Sequence, residues 1–86
     1  MDVAFSIDEY LKYIGNKVKD IRKEKFSNYL DFCNKYSINR VTMNRIENGQ
    51  DFKMSSLIKV LKVLDVQLDE FFDGIDFNMM MKEIED

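Results

Sequence analysis

The sequence predicts an all-α fold, on three observations. Apolar residues recur at three- and four-residue steps along most of the chain and nowhere alternate as a half-buried strand would. Proline is absent and glycine occurs only three times in 86 residues, so little would break or hinge a helix. Asn and Ser, which favour helix N-caps, stand ahead of the apolar runs. Hydrophobic residues at 45% and charged residues at 34% describe a folded domain rather than a disordered chain. The length admits one small domain with a modest core.

The first helix begins at Ser6, where Ser6-Ile7-Asp8-Glu9 has the spacing of a capping box. Tyr10, Leu11, Ile14, Val18 and Ile21 then mark one buried face, and Lys23-Glu24-Lys25 suits the negative end of the helix dipole. A short second helix runs from an Asn28 cap to about Tyr36 and buries Phe32, Cys33 and Tyr36. Ser37-Ile38 makes a tight turn, Asn39 caps a third helix through Asn48, and Gly49 supplies a left-handed stop. A fourth helix, capped near Ser55, buries Leu57, Val60, Leu61 and Leu64. Asp65-Val66-Gln67 breaks it, and Leu68 to Phe72 forms a fifth helix ending at Gly74. Residues 1–74 therefore read as one domain and 75–86 as an acidic, Met-rich C-terminal extension, with a further helix as one form it could take.

The net charge of −3 conceals a division. From Lys12 to Lys62 there are twelve bases against five acids, a net of +7, whereas Asp65 to Asp86 carries eight acids and only Lys82. A basic body with an acidic end suits a polyanion partner; a solvated helical surface with an acidic tail is the plainer reading. No apolar run approaches the length of a membrane span. The start MDVAFSIDEY has acids where an export signal needs bases, so a cytoplasmic location is expected. The single cysteine, Cys33, cannot form an internal disulfide, and without histidine a zinc site is not expected.

Two short helices joined by a tight turn form a helix-turn-helix, whose second helix can enter the DNA major groove. Val18-x-x-Ile21-Arg22, Phe32-Cys33, Ile38, Met43 and Arg45-Ile46-Glu47-Asn48-Gly49 stand in an order that resembles the phage-repressor and Cro type, also called the xenobiotic-response-element type. Leu64-Asp65-Val66-Gln67-Leu68-Asp69-Glu70-Phe71-Phe72 resembles the last segment of that family. The likeness spans about 60 residues; the signal lies in the order and spacing of the pieces together. It implies a compact five-helix lambda-repressor-like DNA-binding domain with a short acidic C-terminal extension. It also implies an ion pair, Arg22 with Glu47, between the first and third helices, and a small residue, here Cys33, where the second and third helices approach. As a small apolar side chain Cys33 is expected to be a core thiol.

With Met43, Ile46 and Glu47 turned inward, Arg40, Val41, Asn44 and Arg45 occupy the opposite face of the third helix. Arginine can donate twice to guanine, asparagine can pair both ways with adenine, and valine can touch a thymine methyl. The four are therefore expected to contact bases, the plainer reading being that Arg40 and Arg45 meet only phosphate. Phosphate contacts are expected from the helix starts and flanks: Asn28, Tyr29, Asn39, Asn48 and Lys53. Tyr29 stands where the family usually has glutamine, Ser37 where it has a left-handed glycine, and Met54-Ser55 where proline is frequent. A serine in that left-handed conformation costs ~1–2 kcal/mol, which the rest of the fold must offset.

No Ser/His/Asp set, metal-ligand cluster or glycine-rich phosphate loop is present, so neither catalysis nor a cofactor is expected. Phe71, Phe72, Ile75, Phe77, Met79, Met80, Met81 and Ile84 place eight large apolar residues in fourteen positions. A five-helix domain has little surface to cover them all, so Phe72, Ile75, Phe77, Met79, Met80 and Ile84 are expected to meet a partner. A homodimer on a palindromic double-stranded operator is the first expectation. The alternative is an antitoxin or other protein-interaction module of the same fold, with a small toxin on the apolar tail.

Overall fold

The computed structural model describes residues 7–73. Five helices follow one another: α1 (Ile7–Lys25), α2 (Tyr29–Tyr36), α3 (Arg40–Glu47), α4 (Met54–Val63) and α5 (Leu68–Asp73), with no strand among the described residues. The fold is thus all-α, in the predicted element order. Ser6, Gly74 and the extension lie outside the described residues.

The core is one cluster drawn from every helix. Val18 of α1, Phe32 and Cys33 of α2, Met43 and Ile46 of α3, Leu57, Val60 and Leu61 of α4, and Phe71 of α5 are all buried, joined by Ile38 and Leu64 from the turns. Each large apolar side chain so buried contributes about 1.5–3 kcal/mol against its exposed state. Phe26, Phe32 and Tyr36 pack ring against ring, with centroids 5.3–5.5 Å apart. Tyr36 is only half-buried at the edge of the core, as is Leu11 on α1.

Three helices end by one device. A residue in left-handed conformation follows α2, α3 and α4: Ser37 (φ 54°), Gly49 (φ 73°) and Asp65 (φ 60°). The next N–H in each case reaches back five residues, Ile38 to Cys33 O at 2.9 Å, Gln50 to Arg45 O at 2.9 Å and Val66 to Leu61 O at 2.9 Å. These bonds satisfy carbonyls that a helix end leaves without partners. Lysines take others: Lys59 Nζ donates to Ser37 O at 3.2 Å, and Lys25 Nζ donates to Leu64 O. Both hold a turn against a distant helix.

One boundary differs from expectation. Helix α4 starts at Met54 with Lys53 in the cap position and no side-chain capping bond, so Ser55 is inside the helix and is not its cap. The first turn closes earlier because Ser56 N–H and Leu57 N–H both donate to Lys53 O, at 2.9 and 3.2 Å.

The position of α3 is set by a close crossing with α1. A Cβ on Gly15 would lie 2.2 Å from Ile46 O and 3.1 Å from Gly49 N, so only glycine admits this approach. Gly49 lies against Lys12 in turn, where a Cβ would meet Lys12 Cγ at 2.8 Å. The two glycines form both sides of one contact, which fixes the C-terminal end of α3 on α1.

Candidate nucleic-acid interface

The turn between α2 and α3 contains three residues, and each helix starts on an asparagine. Asn28 Oδ1 accepts from Leu30 N–H and Asp31 N–H at 2.9 and 3.1 Å; Asn39 Oδ1 accepts from Val41 N–H and Thr42 N–H at the same distances. Each cap satisfies two amides that the helix cannot pair internally. The Nδ2 hydrogens of both asparagines have no partner among the described residues, and both side chains are exposed. Ile38, between the caps, is buried and anchors the turn to the core.

One face of α3 is fixed from inside. Met43, Ile46 and Glu47 are buried, and Glu47 meets Arg22 in a two-pronged ion pair: Nε to Oε2 at 2.7 Å and Nη2 to Oε1 at 3.1 Å. Arg22 is 3% exposed and Glu47 8%. Arg22 Nη1 donates to Phe26 O and Ser27 O at 2.9 and 3.3 Å, so the guanidinium also closes the α1–α2 connection. Such a buried, satisfied pair fixes orientation more than it adds stability. It also keeps both charges away from any ligand.

The opposite face carries Arg40, Val41, Asn44 and Arg45, all exposed. Val41, an apolar side chain at the front of the helix, is 65% exposed among the described residues. Arg45 lines a shallow surface cleft with Thr42, Asp51, Phe52, Lys53 and Ser56, which brings Lys53 beside the same face. The sequence-predicted base contacts therefore share one surface, flanked by Asn39 at one end and Lys53 at the other.

Two of the side chains expected at phosphate make hydrogen bonds within the domain. The Tyr29 hydroxyl donates to Arg40 O, so its hydrogen is committed inside the domain and not offered outward. Its ring lies under the Arg22 guanidinium, 5.8 Å from centroid to Cζ, so Tyr29 and Arg22 together touch the first and last residues of α3. Burial pushes the Tyr29 phenol above its ordinary value, and burial likewise pushes up the Cys33 thiol. Both groups therefore stay protonated near neutrality, and Cys33 is a core thiol. Asn48 is the second: its Nδ2 donates to Asn44 O at 2.9 Å and to Asn44 Oδ1 at 2.6 Å.

Phe72, expected on a partner surface, is half-buried against its own core and meets Phe71 edge to face at 5.2 Å. Ile75, Phe77, Met79, Met80 and Ile84 lie outside the described residues. An apolar groove lined by Ile58, Leu61, Val66 and Leu68, with Lys62, Asp65 and Gln67 at its rim, escaped the sequence reading. Ile58 and Leu68 are 43% and 41% exposed there. The available signal was the position of Ile58 beside Leu57, one residue off the buried stripe. Among the described residues no group of three or more His, Cys, Asp or Glu is placed to hold a metal, and no helix is long and apolar enough to cross a membrane. Neither a family model, nor a curated protein, nor a solved structure matches the chain.

Proposed function

We propose that this chain is a sequence-specific double-stranded DNA-binding transcriptional regulator of the phage-repressor and Cro type, acting as a cytoplasmic repressor. Helix α3, with its Asn39 and Asn48 flanks, is the element that enters the major groove. One observation carries the reading: the inner face of α3 is fixed by Met43, Ile46 and the Glu47–Arg22 pair, while Arg40, Val41, Asn44 and Arg45 stand exposed together outside. Those residue types match the acceptor, donor and methyl pattern of base edges in the groove. Asn28, Asn39 and Lys53 supply donors to the flanking phosphates. A homodimer places two reading helices one DNA turn apart, ~34 Å, on a palindromic operator.

Selection of bound sequences from random duplex DNA, at a stated salt concentration, tests this. An enriched palindrome is the expected result. Arg40→Ala and Arg45→Ala should each cost about 1–3 kcal/mol on that duplex and relax the preference at particular bases. Equal weakening on every sequence would make them phosphate contacts only.

The exposed apolar groove at Ile58 and Leu68 favours one second reading, an antitoxin-like module that holds a small protein partner. A small toxin that co-purifies with the chain would support it.

A further inference from the structure

We infer that Asn48 fixes Asn44 as a hydrogen-bond donor toward the base it faces, so that Asn44 selects guanine over adenine. This rests on the reading of α3 as the base-contacting helix. The two asparagines are four residues apart and so lie one above the other on the helix surface. Asn48 Nδ2 donates to Asn44 O at 2.9 Å and to Asn44 Oδ1 at 2.6 Å. Those bonds turn the Asn44 carbonyl oxygen along the helix toward Asn48. The Nδ2 of Asn44 has no partner among the described residues.

The consequence follows from what each base shows in the major groove. An asparagine recognises adenine by giving a hydrogen to N7 and accepting one from N6 on its own Oδ1. Here one of the two lone pairs of that oxygen is taken by Asn48, which draws the oxygen along the helix, so an adenine N6–H meets only the second and less well-aimed lone pair. Guanine presents two acceptors, N7 and O6, and asks only for donors. The two Nδ2 hydrogens of Asn44 match it, while thymine offers only one acceptor, O4. Asn48 is therefore a positioning residue: it touches no base and sets what its neighbour reads. Taken alone, Asn44 would suggest adenine; the hydrogen bond from Asn48 reverses that assignment.

The test is selection from random duplex DNA with four proteins: the unaltered chain, Asn44→Ala, Asn48→Ala and Asn48→Asp. The unaltered chain should enrich guanine at one position whose preference disappears in Asn44→Ala. In Asn48→Ala, adenine should replace guanine there, with the ratio of the two duplex affinities shifting roughly tenfold. Asn48→Asp can only accept at its side chain, so it should draw in the Asn44 Nδ2, turn Oδ1 outward and move the preference away from guanine. Both asparagines are exposed, so none of the three variants leaves a buried group unsatisfied, and circular dichroism checks that each folds. Adenine at that position with the unaltered chain overturns the inference. So does a guanine preference that survives both Asn48 variants, or a motif that Asn44→Ala leaves intact at every position. Enrichment of no motif by the unaltered chain would instead remove the DNA reading itself, a separate failure.

Discussion

Arg22 connects more of this molecule than any other side chain described. Its three nitrogens hold Glu47 on α3 and the carbonyls of Phe26 and Ser27, and its Cζ lies over the Tyr29 ring. Arg22→Ala should therefore damage folding before recognition, because it leaves the Glu47 carboxylate buried without a partner. Breaking such a pair costs ~3–5 kcal/mol, measurable as a lower urea midpoint. A fully stable variant with only DNA affinity lost would contradict this role. Tyr29 and Cys33 predict a pH dependence. Burial raises both above their ordinary values of 10.0 and 9.0, so the folded state holds their protons more tightly than the unfolded chain. Their contribution is complete below pH ~9 and declines as pH rises, because the unfolded state then binds fewer protons. Urea midpoints between pH 7 and 11 should fall at the alkaline end, less steeply in Tyr29→Phe than in the unaltered chain. Parallel curves would show that the phenol does not contribute. The Arg22–Glu47 pair was readable from the sequence by its place in a resemblance. The directions of the Tyr29 hydroxyl and the Asn48 amide were not, since residue type fixes neither a side-chain rotamer nor which of two partners a donor finds.

At the scale of helices, caps and periodicity placed most boundaries, because Asn28, Asn39 and Gly49 act through bonds to residues within one turn. The start of α4 was misplaced: a backbone carbonyl at Lys53 closes that turn, and Ser55 is spent inside the helix. Asp65, in left-handed conformation after α4, was read only as a break. The largest omission was Gly15, whose position on the inner face of α1 between Leu11 and Val18 signals a close helix crossing. Helix propensity alone favours Gly15→Ala by about 1 kcal/mol. The crossing reverses the sign, since a methyl 2.2 Å from Ile46 O must push α3 away from α1. Thermal unfolding should show net destabilisation of about 1–3 kcal/mol, as for overpacking elsewhere. An unchanged or raised midpoint would mean that the two helices are less closely seated.

For the whole molecule, the division of charge bears on the proposed assembly. The segment from Lys12 to Lys62 is strongly basic and contains the entire proposed reading face, while residues 65–86 sum to −7 and would be repelled by phosphate. That acidic end also contains the apolar residues Ile75, Phe77, Met79, Met80 and Ile84. Truncation after Gly74 should therefore yield a folded monomer in analytical ultracentrifugation, with operator binding weakened far more than non-specific binding, because the two half-sites are no longer coupled. A truncated chain that still dimerises, or a full-length chain that is monomeric at micromolar concentration, would move the interface elsewhere or favour a different protein partner. The central claim is that the outer face of α3 reads bases. It is tested most directly by the affinity of the full-length chain for its selected duplex and for a scrambled duplex of equal composition, at one salt concentration. A ratio on the order of 10³ or more, collapsing in Arg40→Ala and Arg45→Ala, is the predicted result. Equal affinity for the two duplexes would contradict it.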